Sequence, residues 1–331
     1  MRSLAAVFVV GMLALPTLPQ QDRSDGTWEA EFRATRMHLN LRIDRNQGYS
    51  NYGRTIPIAD LSNFRRSGRN VSFELRRPAG VFRFEGVGSE DRAAGTYEFT
   101  SDVAFRRTLE SNGFSGLDER RMLIVAIHNV TSDDVRYLQR GVRGGINTAG
   151  LIRMLDHGAG PEFVRGVYAA GFSNLSADEL TRTRDHGVDP EFIEGMRREG
   201  IRLTLDEYVR ARDHGVDPRY IRALRELGFR NDFAQLVRAR DHGVDARFVR
   251  DLSEAGLRDL TLSHYVELRD HGVTEDFVLG MRELGYTRLN ASELIRLQNH
   301  GVTPAFVRRA NRDAGRTLAV DELVDRKSRG H

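Results

Sequence analysis

The chain has 331 residues, 47 acidic against 50 basic, for a formal charge of +3. Cysteine is absent, which excludes a disulfide framework, a thiolate zinc site and a lipid-anchored cysteine. Every basic residue but Lys327 is arginine, and from Leu117 onward acids and bases balance at 34 each, which excludes the net basic face that a nucleic-acid binder needs.

Arg2 and the apolar run Leu4–Leu15, broken by Pro16, read as an export signal. The run is too short to span a bilayer, which takes about 20 apolar residues. Residues 1–19 are therefore assigned to a signal peptide and 20–26 to a polar linker. This places the mature chain in the periplasm or cell envelope with no membrane span, and retention as an uncleaved anchor is the alternative.

Over residues 27–100 the apolar pattern has a period of two. Trp28-Ala30-Phe32, Leu39-Leu41-Ile43, Val71-Phe73-Leu75, Phe82-Phe84 and Tyr97-Phe99 alternate with polar residues. One apolar face per segment predicts half-buried antiparallel strands, five to seven of them, in a sheet, sandwich or partial barrel. Gly26-Thr27-Trp28 resembles the Gly-x-Trp opening of lipocalins, in half the length their cup needs. Trp28 is read as the plug of the sheet core, with a ligand pocket beneath it as the alternative. Arg33, Arg42, Arg54, Arg76, Arg77 and Arg83 are assigned to a solvated face.

The remainder is a tandem repeat. His128, His157, His186, His214, His242, His271 and His300 follow one another at 28 or 29 residues. A period of this size belongs to stacked supersecondary units. Ten residues before each histidine stands a helix N-cap: Asp118, Asn147, Ser176, Thr204, Asp232, Thr261 or Asn290. Glu179, Glu207, Gln235 and Glu293 complete capping boxes. The leading helix of each hairpin thus runs about nine residues to the histidine. Glycine follows, or Asn129 in the first repeat, as a left-handed stop requires. A trailing helix begins at once, with a cap three residues after the histidine and proline at its first position in Pro161, Pro190, Pro218 and Pro304. The predicted fold is thus α+β: an antiparallel β domain over 27–100, then a right-handed α-solenoid over 102–331. It divides into a half repeat at 102–116, seven repeats over 117–316 and a terminal half repeat at 317–331.

Two recurring groups look chemical. The histidines invite a metal reading, but packed helices sit about 8–10 Å apart, too far for equivalent nitrogens to share an ion. They are read as polar helix ends, with no metal and no cofactor. Arg184, Arg212, Arg240 and Arg269, two residues before their histidines, fall inside the apolar stripe. Asp189, Asp217 and Asp245 follow five residues later in three of the four cases, which suggests an inward arginine reaching the cap of its own hairpin, or else an anion or peptide-carboxylate site.

The phrase His-Gly-Val-(Asp/Thr)-Pro-x-Phe, seen at His186–Phe192 and His300–Phe306, with Leu-Gly-(Phe/Tyr) at Leu227–Phe229 and Leu284–Tyr286, resembles tandem repeats of exported bacterial proteins. Similar repeats form C-terminal extensions of membrane metallopeptidases of the β-lactam sensor kind, preceded by a strand-rich domain with phrases like Gly80–Gly86. The peptidase zinc motif and membrane helices are missing here, so the resemblance implies a noncatalytic extracytoplasmic sensing or interaction module. The function predicted is binding of an envelope protein or peptide. The alternative is small-ligand binding by the β domain, with the repeats as a spacer or oligomerisation arm.

Overall fold

A computed structural model describes residues 24–45, 48–230 and 232–330. The leader predicted over 1–19 lies outside these residues, while Ser24 to Gly26, read as linker, already belong to the first strand. The chain divides into two compact units, one up to Pro161 and one from Glu162.

The first unit opens with seven strands: β1 (Ser24–Phe32), β2 (Arg36–Arg45), β3 (Gly48–Pro57), β4 (Leu61–Ser67), β5 (Asn70–Arg77), β6 (Gly80–Gly88) and β7 (Arg92–Ser101). They form one antiparallel sheet in the order β3-β2-β1-β7-β6-β5-β4. The two edges are β3 and β4, yet only a 3₁₀ turn at Ile58–Asp60 joins them. Laid flat, seven strands would separate those edges by roughly 29 Å, whereas the link reaches about 14 Å fully extended. The sheet is therefore curled into a partial barrel. A bulge between Ser62 and Arg65 lets Phe64 turn to the rings of Phe32 and Phe73 at the seam.

Trp28, 1% exposed, meets Phe73 and Phe84 edge-on and donates its indole N–H to the carbonyls of Glu85 and Thr96. A buried tryptophan must satisfy that donor, and here the backbone does so. Trp28 plugs the core.

Four helices complete the unit. In α1 (Val103–Ser111) the Asp102 carboxylate accepts from Phe105 N at 2.7 Å, and the helix packs on α3 (Ser132–Gly141). Helix α2 (Glu119–Ile127) packs on β1, β6, β7 and on α4 (Thr148–Asp156). Its side chains from Met122 to Ile127 are all buried, as a helix enclosed on several sides demands.

The second unit takes up at α5 (Pro161–Ala169) and continues with α6 (Ala177–Asp185), α7 (Pro190–Arg198), α8 (Leu205–Asp213), α9 (Pro218–Glu226), α10 (Phe233–Asp241), α11 (Ala246–Glu254), α12 (Leu262–Asp270), α13 (Glu275–Glu283), α14 (Ala291–Asn299), α15 (Pro304–Ala314) and α16 (Val320–Ser328). Leading helices pack on leading helices, as α10 on α12 and α12 on α14. Trailing helices pack on trailing helices, as α7 on α9 and α11 on α13. One apolar core runs from Val188 to Val324 between the two layers. A single hairpin could not bury its own face, and stacking does it.

All four capping boxes read from the sequence form, and two more join them at Thr131/Asp134 and Thr261/His264. Each leading helix of this unit up to α14 ends on its histidine. At His214 the chain turns on Gly215, φ 68°, with Gly215 N donating to Arg212 O and Val216 N to Ala211 O, the paired closure of a left-handed helix stop.

Trailing helices are keyed to their successors. A Cβ built on Gly166, Gly195 or Gly280 would lie 2.5, 2.8 or 2.7 Å from the ring of Pro190, Pro218 or Pro304. Where the successor carries Ala246 or Glu275 in place of proline, the corresponding residues are Ala223 and Asp251. Glycine thus stands opposite three of the four trailing-helix prolines; by the same spacing the fourth, Pro161, follows Tyr137.

Candidate functional site

The four stripe arginines do not reach the caps of their own hairpins. Each turns back to the trailing helix of the preceding repeat. The guanidinium carbon of Arg184 lies 5.5 Å from the ring centre of Phe163, Arg212 3.8 Å from Phe192, Arg240 5.1 Å from Tyr220 and Arg269 4.7 Å from Phe248. Arg240 Nε also donates to Gly215 O at 3.1 Å. Asp189, Asp217 and Asp245 are occupied otherwise, each accepting from the backbone N–H three residues on, at 2.7 to 2.8 Å. The pairing read from the sequence is thereby corrected: the aspartates cap, and the arginines stack across the repeat boundary. An arginine held on an aromatic face is a cation–π contact whose stem also covers apolar surface.

The histidines make the second contact at the same boundaries. His186 Nδ1 meets Asp213 Oδ1 at 2.6 Å, His214 meets Asp241 and His242 meets Asp270 at the same distance, and His271 meets Asn299 at 2.8 Å. The partner is always the residue just before the next histidine. The three His–Asp pairs keep 37 to 39% of the imidazole exposed, so each is a weak, screened contact. Sequence reasoning had given the ring only its own helix end. A signal was present: the acid before the histidine is missing in the first repeat, which has Ile127 and no preceding histidine to serve.

A third cross-repeat contact is local to one boundary. The Glu199 side chain, 3% exposed, accepts from Arg222 Nε at 2.9 Å and Nη2 at 2.6 Å, with Arg225 Nη2 2.6 Å from its other oxygen.

In the first unit the histidine site is built differently. His128 is half-buried against β3. Arg54 Nη2 lies 2.6 Å from its Nε2 and 2.8 Å from its Nδ1, and Tyr52 stands edge-on to the ring while donating to Asp156 Oδ1 at 2.7 Å. Burial, and then the Arg54 charge, push His128 down to about 3, so its ring is the neutral acceptor for the guanidinium. Arg54 is thus not the solvated residue its alternation suggested.

A groove of about 880 Å³ opens on the sheet of the first unit. Glu29, Glu31, His38, Asn40, Arg69 and Arg92 line it over a floor that includes Ala93 and Ala94, and Trp28 does not. Among the described residues no three His, Asp or Glu side chains converge as metal ligands would. The chain matches no family model and no curated protein.

Proposed function

We propose that the protein is a noncatalytic, extracytoplasmic scaffold that binds an envelope protein or peptide through its helical array. The observation that supports this is how the repeated motif is used. Its histidine, aspartate and arginine join one repeat to the next, through the three His–Asp pairs and the four arginine–ring contacts. The repeated motif serves the stack itself, which leaves the exposed faces of the helices for a partner. Arrays of this build offer extended surfaces rather than one deep cleft. The apolar leader in the sequence supports the location.

The test is capture from cell-envelope extract with the full chain as bait. Reversing exposed charges on the leading helices, Arg210→Glu with Arg238→Glu, should abolish capture and leave the melting temperature in place. Capture that survives those changes but fails when Glu29 and Arg69 are replaced would favour the second reading, a ligand site in the sheet groove. Fractionation that finds the chain retaining Met1 in the cytosol would remove the extracytoplasmic part of the proposal.

A further inference from the structure

The outer face of the leading helices carries a clasp that is broken in the middle of the second unit. At one end Arg182 on α6 pairs with Asp206 on α8 at 2.5 Å, and at the other Arg296 on α14 pairs with Asp321 on α16. In both clasps an arginine four residues before the histidine position meets an aspartate eight before the next one. Between them the arginines continue as Arg210 and Arg238, but the aspartate positions hold Ala234 and Ser263. Both arginines are exposed, and among the described residues neither has an ion pair across the repeat boundary; Arg210 keeps only the nearby Glu207 carboxylate of its own helix. Arg210 leans toward α10, 5.9 Å from the Phe233 ring centre. Where the aspartates are missing there is a recess of about 290 Å³ between α10 and α12, lined by Ala234, Arg238, Leu262, Ser263, Val266 and, at its rim, the capping Asp232 and Gln235. One repeat further along, the row changes sign at the exposed Glu267, opposite Ser292.

We propose that this stretch is a docking surface for an extended segment of a partner protein that supplies the missing carboxylates in trans: two acidic residues over Arg210 and Arg238, then a basic residue over Glu267. The inference rests on the scaffold reading and names its surface and its partner chemistry. Spacing favours a polyproline-type segment. Neighbouring helices lie about 8–10 Å apart, and a polyproline II chain returns the same face every three residues, about 9 Å. The sign order excludes a uniformly acidic or uniformly basic partner as the best fit.

The probe is a fluorescein-labelled peptide, Glu-Pro-Pro-Glu-Pro-Pro-Lys, with Lys-Pro-Pro-Lys-Pro-Pro-Glu as the charge-reversed control, titrated with the full chain by fluorescence anisotropy at low salt. The first peptide should bind at least tenfold more tightly. Restoring the clasp in cis with Ala234→Asp and Ser263→Asp should weaken it at least tenfold. Both positions are second in their helices, where an aspartate suits the dipole, so the melting temperature should hold or rise and unfolding cannot explain the loss. Arg219→Glu with Arg250→Glu, exposed on trailing helices, should change nothing. Affinity that survives the restored clasp, or that is lost equally in the trailing-helix variant, overturns the surface while leaving a scaffold that binds elsewhere. Intact peptide binding with no capture of any envelope protein would remove the scaffold reading instead.

Discussion

Tyr52 donates its hydroxyl to Asp156 at 2.7 Å and so occupies the carboxylate that, by its place before His157, corresponds to those answering a preceding histidine in the second unit. The histidine it would have served, His128, is taken by Arg54. Two residues of one strand, β3, thus intercept both halves of what would be a His–Asp contact. Within the first unit the sheet is bolted to the ends of α2 and α4 at that point.

Tyr52→Phe should cost about 1 kcal/mol, the net worth of a hydrogen bond whose charged partner, Asp156, is exposed and regains water. A double-mutant cycle with Asp156→Asn, followed by urea unfolding, reads the coupling directly. Additive losses would mean that the hydroxyl and the carboxylate do not depend on one another.

His128 gives the unit an acid sensitivity. Its folded value is depressed to about 3, below the roughly 6.5 of an unfolded chain, so the unfolded state binds the proton first. The contribution is complete above about pH 6.5 and is lost as pH falls toward 3, by at most ~1.4 kcal/mol per unit. His128→Gln should flatten the difference in stability measured between pH 7 and pH 4.5. An equal acid loss in native and variant protein would assign the effect to other groups.

Arg212→Ala should destabilise the second unit by about 1–2 kcal/mol through the lost ring contact and the uncovered stem. Coupling should appear with Phe192→Leu and be absent with Asp217→Ala. The reverse result in denaturant titrations would restore the intra-hairpin pair that the sequence suggested.

Glu199→Ala leaves Arg222 and Arg225 facing an empty, buried position. Both arginines are half exposed and regain water, so the loss should be about 2 kcal/mol, at or below the low end for breaking a buried pair. Glu199→Met, which refills the volume, should recover part of it in the same unfolding assay. A variant as stable as the native chain would show that the carboxylate contributes nothing.

The boundaries of the helices were legible because caps, first-turn prolines and stop glycines act within a few residues of chain. The alternation of Trp28 with Ala30 and of Phe82 with Phe84 placed the strands for the same reason. Partners across repeats were not legible. Helical phase puts Arg212 inside the apolar stripe, yet phase alone does not say whether the side chain meets its own hairpin or the one before. The Asp217 carboxylate was already committed to Tyr220 N, a local bond that the five-residue spacing concealed. Arg54 was misplaced because His128, at the end of α2, covers a position on β3 that alternation alone would leave to solvent. His264 serves as a capping partner of Thr261, although no acid or amide stands there to announce it.

The glycine–proline contacts between trailing helices give the array a fixed order of succession. Removing residues 201–228 would set α11 beside α7, so that Gly195 faces Ala246 and nothing collides. Removing residues 257–285 would instead set α15 beside α11, driving the Pro304 ring against the side chain of Asp251. Two excisions of one repeat each, nearly alike in length, should therefore differ in outcome: a shorter folded array in the first case and a broken one in the second. Lineages that shorten or lengthen such a chain can do so only at certain joints.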